Sequence, residues 1–469
     1  MNREGNIMKS NSRFKLVIEA ILIALLVSGC GLAKCGDGIC DYPAENCYIC
    51  KKDCRDPNDM CCKPNSPLDG RCTDFDCDGD TNCPDVHPQN IRTGGNPKWS
   101  QANNLIVFDD FVNNSGGSLG CNLNPLSCNF EIFTMKPDGT DVQCLTCDKS
   151  TLSSAGHRGQ PYWHPSGNYI VFSAENKNYE RWRNERDLTV IPAASGRNNN
   201  VWIMTADGEQ FWQITDIAES SGIIRPSFSP DGTMIYWNEE YSIDEHGVPS
   251  PWSVSANPLG EKWGLWRIRI ADISFGTEPV ISNNHIININ EKYPGKVLLE
   301  GQGIQPDNEH LIFAAADISE TSGCCFWGNK QIFGYCHWAD IYMTDLNGNN
   351  LIRLTNTPYL HSENPELSPD GEKIIFTESK WCVGKGVDIY MMNSDGSDRI
   401  RLTHLNNPNC PDDYLGFGSA GELDWSPDGT KILFAPIVDT KITYPYVNCN
   451  IYMLDIEEFI QEYTCPRCP

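Results

Sequence analysis

The chain is 469 residues long and carries 62 acidic against 36 basic side chains, a formal net charge of -26. Such a field repels nucleic-acid phosphates and anionic lipid headgroups, so no nucleic-acid partner is expected; it would attract cations or basic protein surfaces, simple solubility being the commoner reason for such acidity. With 39 Gly, 30 Pro and 23 Cys the composition is rich in turns, and that many cysteines would be out of place in a reducing cytosol but suit an exported chain.

The first element is a leader. Arg13 and Lys15 precede an apolar run from Leu16 to Val27, broken only by Glu19 and ending in Val27-Ser28-Gly29-Cys30. A basic start, a short apolar segment and small residues at its end make residues 1–29 a secretory signal. The run falls short of the roughly 20 apolar residues of a membrane span, and an uncleaved anchor is the alternative. The tetrad resembles a bacterial lipobox. That resemblance implies that Cys30 is the lipidated first residue of the mature protein, holding it at the cell envelope. Gly31, in place of an acidic residue, implies the outer membrane if the source has two membranes.

Residues 30–90 form a second region with too few large apolar side chains for a core, so disulfides or metal must stabilise it. Ten cysteines lie between Cys35 and Cys83 and twelve more follow, an even number once Cys30 is set aside. Cys-x-x-Cys pairs stand at Cys47 and Cys50, Cys144 and Cys147, and Cys465 and Cys468. None is followed by His, which speaks against haem attachment, and none has a second pair at finger-like spacing. Disulfides are therefore expected, zinc being the alternative, and a bond from Cys465 or Cys468 to a cysteine near the first repeat would staple the chain's end. Asp74, Asp76, Asp78, Gly79, Asp80, Asn82 and Asp85 fall at positions 1, 3, 5, 6, 7, 9 and 12 of an EF-hand-like loop, a pattern of oxygen ligands suited to structural Ca2+. The interleaved Cys77 and Cys83 make the loop resemble a thrombospondin type 3 repeat; an Asp-rich solvated linker is the competing reading.

Six copies of one phrase follow, a polar turn of the Ser-Pro-Asp-Gly kind between an aromatic or apolar residue and a run of β-formers: Trp99 to Phe108, Trp163 to Phe172, Phe228 to Trp237, Ile304 to Phe313, Leu367 to Phe376 and Trp425 to Phe434. Each is followed by a strand such as Ile389-Tyr390-Met391, a hairpin turn such as Asp395-Gly396, and a strand ending in Leu-Thr such as Arg401-Leu402-Thr403. One four-stranded sheet cannot bury both faces alone, so the copies must stack radially. The predicted fold is all-β, a six-bladed β-propeller of four-stranded antiparallel blades over residues 94–464, with a short Cys-containing tail at 465–469. The opening aromatics are predicted to pack between blades.

Phe228-Ser229-Pro230-Asp231-Gly232, Leu367-Ser368-Pro369-Asp370-Gly371 and Trp425-Ser426-Pro427-Asp428-Gly429, with their paired strands, resemble the repeats of TolB-type propellers. The resemblance implies the propeller fold but not one activity, because the same repeat serves envelope scaffolds, peptidase propellers and some lyases. A peptidase would need an α/β-hydrolase domain, and none is expected because Pro469 directly follows the sixth repeat.

Within such a propeller, Asn96, Gln160, Arg225, Gly301, Asn364 and Glu422 precede the inner strands and are predicted to ring one mouth of the channel. His157 and His361 stand four residues before Pro161 and Pro365. The mouth residues His157, Gln160, Arg225, His361, Asn364 and Glu422 are the candidate binding set, able to hold a peptide, sugar or ion; a hydrated lining is the alternative. Long insertions at Asp109 to Glu131, Ser173 to Asn200, Asn238 to Gly264 and Ala314 to Asp340 build up one face, as recognition loops do. Gly116-Gly117-Ser118-Leu119-Gly120 and Gly416-Phe417-Gly418-Ser419-Ala420-Gly421 match catalytic and nucleotide-binding patterns but lack the required helix, and both read as loops. No catalytic residue is assigned. The expected function is an exported, lipid-anchored scaffold binding an envelope protein or peptide. A propeller lyase or hydrolase acting on carbohydrate or another small substrate at the channel is the alternative.

Overall fold

The computed structural model divides the chain into two units, Met1–Thr81 and Asn82–Pro469, and describes residues 88–113, 128–147, 149, 152, 156–175, 199–217, 222–241, 265–317, 325–327, 330–332, 339–357, 360–379, 387–403, 405, 417–438 and 450–457, all in the second unit. Cys30, the Asp74 to Asp85 loop, the C-terminal cysteine pair, Gly116 to Gly120 and most of the long insertions lie outside the described residues.

Six four-stranded antiparallel sheets are present. Strand β1 (Gln89–Thr93) comes first, and β2 (Gly95–Trp99), β3 (Ile106–Asn113), β4 (Cys128–Met135) and β5 (Gln143–Cys144) make blade 1. Blade 2 is β6 (Arg158–Trp163), β7 (Tyr169–Glu175), β8 (Asn199–Thr205) and β9 (Phe211–Gln213). Blade 3 is β10 (Ile223–Phe228), β11 (Met234–Tyr241), β12 (Leu265–Phe275) and β13 (Pro279–Ile287), followed by the single-turn helix α1 (Ile289–Lys292). Blade 4 comprises β14 (Lys296–Ile304), β15 (His310–Asp317), β18 (Ala339–Asp345) and β19 (Ile352–Arg353), with the hairpin β16 (Cys325–Trp327) and β17 (Lys330–Ile332) inserted between its second and third strands. Blade 5 is β20 (His361–Leu367), β21 (Lys373–Ser379), β22 (Val387–Asn393) and β23 (Ile400–Arg401). Blade 6 takes β24 (Phe417–Trp425), β25 (Lys431–Val438) and β26 (Asn450–Asp455) from the end of the chain and β1 as its outermost strand.

Closure therefore uses a strand ahead of residue 94, where the repeat begins. Only Gly94 separates β1 in blade 6 from β2 in blade 1. Its φ of 143° and the 2.7 Å between an added Cβ and Phe108 explain why glycine stands there. Phe417 to Gly421, read as a loop from its glycines, instead forms the first part of the inner strand β24. Pairing with β25 supplies the order that local composition does not.

The turns are built as their residues require. In blade 3 the Ser229 hydroxyl donates to Asp231 at 2.6 Å and accepts the Met234 N–H at 2.9 Å, while Gly232 takes φ 73°. The same bonds recur at Ser368 and Asp370 and at Ser426 and Asp428. Apolar clusters fill the seams between blades. Trp99 meets Leu433 and Ile451, Trp163 meets Val107 and Ile132, Phe228 meets Val171 and Ile203, and Trp425 meets Ile375 and Ile389. The opening aromatics are thus core, as predicted.

Four Leu-Thr or Ile-Thr pairs among the described residues latch the outer edges of their blades. Thr146, Thr215, Thr355 and Thr403 accept the N–H of Ile132, Val201, Ile341 and Ile389, all at 2.9 Å. The same hydroxyls donate to Glu131, Asn200, Asp340 and Asp388 at 2.6 to 2.9 Å. In blade 1 the latch lies inside a Cys-x-x-Cys pair, and Cys144 and Cys147 are joined as a disulfide.

Candidate functional site in the axial channel

The inner strands share a local break. Around Asn96-Pro97, Gln160-Pro161, Arg225-Pro226 and Asn364-Pro365 the inner strand carries one residue more than its partner. The residues before these prolines take φ of 46°, 53°, 51° and 54°. Proline suits a position where the ladder is interrupted, since it has no N–H to pair. A non-glycine residue in the left-handed region persists only where its surroundings hold it. Here the Gln160 N–H donates to Asp109 Oδ2 at 2.8 Å, Asn96 Nδ2 to the same oxygen at 2.7 Å, and the Arg225 N–H to Gln160 Oε1 at 2.9 Å. Blades 4 and 6 carry the corresponding irregularity around Gln302 and Glu422.

These breaks bring two polar tiers together on the axis. In the first, the Arg225 guanidinium donates to Gln302, to Glu422 Oε2 at 2.8 Å and to Asn364 Oδ1 at 2.5 Å, and pairs with Glu300 at 2.8 Å. One arginine from blade 3 thereby ties blades 4, 5 and 6, while its backbone ties blade 2. In the second tier Lys98 donates to the Leu423 carbonyl at 2.8 Å, pairs with Glu366 at 3.2 Å and Asp424 at 3.9 Å, and lies 5.4 Å from the centre of the Tyr162 ring. The cavity between the tiers, lined by Gln160, Tyr162, Arg225 and Glu422 among others, has room for about one water molecule.

Asp109, Glu300, Glu363, Glu366 and Asp424 lie around these two cations, and burial acts on all five. Burial pushes Asp109 up to about 7 against the hydrogen bonds from Gln160 and Asn96. Glu300 rises to about 7 because burial and the neighbouring Glu422 and Glu363 outweigh Arg225. Asp424 also reaches about 7, burial and Glu366 exceeding the pull of Lys98. Burial raises Glu366 as well. Glu363 goes the other way: burial is overcome by His361, whose Nε2 lies 2.9 Å from it, and by Arg225. Burial would lower Lys98 and Arg225, but the surrounding carboxylates hold both above their ordinary values.

Of the residues expected at the mouth, Gln160, Arg225, Asn364 and Glu422 come together directly, and His361 joins them through Glu363. His157 is placed at the seam of blades 1 and 2, where its Nδ1 accepts the Phe130 N–H at 3.1 Å and its own N–H donates to Glu175 at 3.0 Å. The sixth ring position belongs to Gln302, one residue past Gly301, whose N–H and carbonyl are clamped by Asn238 at 2.7 and 3.0 Å. Sequence reading passed over Lys98, Glu366 and Asp424. Each stands two residues after a ring position, on the same side of a strand, and that spacing is the signal that could have found them.

No family model matches the chain, and no curated protein matches it. Among solved structures it is similar to TolB from Acinetobacter baumannii, at 15% identity over 70% of this chain and 60% of that one with a TM-score of 0.38. It is also similar to the Pyrococcus horikoshii acylaminoacyl peptidase, at 10% identity over 78% and 52% with a TM-score of 0.42. A third is an oligogalacturonate lyase from Vibrio parahaemolyticus, at 10% identity over 81% and 93% with a TM-score of 0.38. The chain thus spans three-fifths or less of the first two. Its class, a six-bladed β-propeller, rests on its own sheets.

Proposed function

We propose that this propeller is a non-catalytic scaffold that binds a protein or peptide at the cell envelope, exported through residues 1–29 and anchored by a lipid on Cys30, with Ca2+ at Asp74 to Asp85 as a structural ion. One observation carries the reading: Arg225 and Lys98 are held at the axis by residues of other blades, and the cavity between them has space for about one water. A substrate-sized molecule does not fit between the tiers, so recognition falls to the mouth and the long-loop face. The carboxylate excess around Arg225 and Lys98 favours a partner segment bearing Lys or Arg.

Affinity capture from native envelope tests this, using the wild-type chain, Arg225→Ala and the rim pair His361→Gln with Glu363→Gln. Arg225→Ala leaves buried carboxylates unpaired and is expected to cost about 3 to 5 kcal/mol; the rim pair is milder and keeps the experiment interpretable. Loss of a captured protein in both variants is expected. An identical set of proteins from all three would overturn binding at the mouth. The carboxyls near 7 favour a second reading, an acid–base enzyme acting on a small carbohydrate at the channel. Turnover of an oligosaccharide panel, abolished by Glu300→Gln, would establish it in place of the scaffold.

A further inference from the structure

The latch of blade 1 differs from its sisters in one respect. In blades 2, 4 and 5 the residue two before the latching threonine reaches past it to bond the threonine carbonyl: Gln213 Nε2 at 2.7 Å, Arg353 Nε at 3.0 Å and Arg401 Nε at 2.7 Å. Blade 1 has Cys144 at that position, bonded to Cys147 on the far side of Thr146. A covalent bond stands where three sister blades use a hydrogen bond.

Stability alone does not account for the exchange. A disulfide that closes so short a loop removes less entropy from the unfolded chain than a long-range one would, and the hydrogen-bonded form holds the same latch elsewhere in this molecule. Both cysteines are half-buried, while the intervening Leu145 and Thr146 are buried. The Cys147 N–H points at Cys144 Sγ, 3.1 Å away, and would stabilise a thiolate there.

We propose that Cys144–Cys147 is a thiol–disulfide exchange site for a dithiol reductant, and that its redox state sets whether the outer edge of blade 1 is latched. A thiolate of the dithiol attacks Cys147 Sγ. The Cys144–Cys147 bond breaks, and Cys144 leaves as the thiolate held by the Cys147 N–H. The dithiol's second thiolate then attacks its own sulfur in the mixed disulfide and expels Cys147. One dithiol becomes one disulfide, and the chain gains two thiols with the two protons that the dithiol gave up. Strand β5 has two residues, so without the disulfide the segment is held by that short pairing with β4, by the Leu145 N–H on the Ile132 carbonyl at 2.8 Å and by the Thr146 latch.

The test is a redox titration of the folded full chain in dithiothreitol buffers without denaturant, with differential alkylation and peptide mass spectrometry reading Cys144 and Cys147 separately from the other cysteines. The expected result is reduction of this pair while the far-ultraviolet circular dichroism of the sheets is unchanged, with amide exchange at Ile132 and Leu145 rising at least about tenfold. A variant combining Cys144→Gln with Cys147→Asp, copying Gln213 and Asp216 of blade 2, should restore protection and make it indifferent to reductant. A pair that stays oxidised until the sheets unfold, or reduction with no change in exchange at Ile132, would overturn the proposal.

Discussion

Asp109 shows how much one buried side chain settles in this molecule. It is 2% exposed, and one oxygen accepts from Asn96 and the Gln160 N–H, joining blades 1 and 2 beside the axis. Its carboxyl, like those of Glu300 and Asp424, is raised to about 7 from an ordinary value near 4, chiefly by burial. Between those values the folded chain binds protons that the unfolded chain has released, so this contribution to stability is full below about pH 4 and is lost as pH rises through 7. The melting temperature is expected to fall from pH 5 to pH 8, and Asp109→Asn should flatten that slope while keeping the hydrogen bonds. A wild-type melting temperature that rises over this window would contradict the assignment. Sequence could find Gln160 and Arg225, because each precedes a proline in an aligned strand. Asp109 was invisible to it, since nothing local tells a strand aspartate at a seam from one facing water.

At the scale of the element, the repeated Leu-Thr phrase is a fastening as well as a strand end. Thr403 is 1% exposed and holds both the Ile389 N–H and Asp388 Oδ1. Thr403→Val keeps the shape but removes the acceptor of the buried Ile389 N–H, while Asp388 keeps the Leu405 N–H and Arg401, at a cost of about 1 to 3 kcal/mol. Chemical denaturation would measure it, and a change under about 0.5 kcal/mol would show that the latch is ornamental. The Ser-Pro-Asp-Gly turns were legible because their bonds run between residues two to five apart. The inner-strand bulges were not: their prolines are plain in the sequence, but the extra residue is defined only against a partner strand.

For the whole molecule, the ring is closed twice. At its rim β1 adds to blade 6, and at its axis Arg225 and Lys98 bind carboxylates from other blades. Gly94 is the hinge of the first closure, and Gly94→Val would drive a side chain into Phe108 and Ile451 from a backbone conformation it resists. A loss of about 2 kcal/mol or more is expected, together with self-association through the uncovered edge of β26. Light scattering and thermal melting check both, and a monomeric variant of unchanged stability would show that β1 is dispensable. By itself the sequence determined the blade count, the hairpin turns and the interblade aromatics, because these follow from periodicity and turn chemistry within some fifty residues of chain. Only the tertiary structure decided that the closing strand precedes the first repeat, that Gln302 takes the ring position predicted for Gly301, and that Arg225 and Lys98 are bound across the axis. Those outcomes depend on charges and backbones hundreds of residues apart, such as Arg225 and Glu422, which meet only when the blades close into a circle.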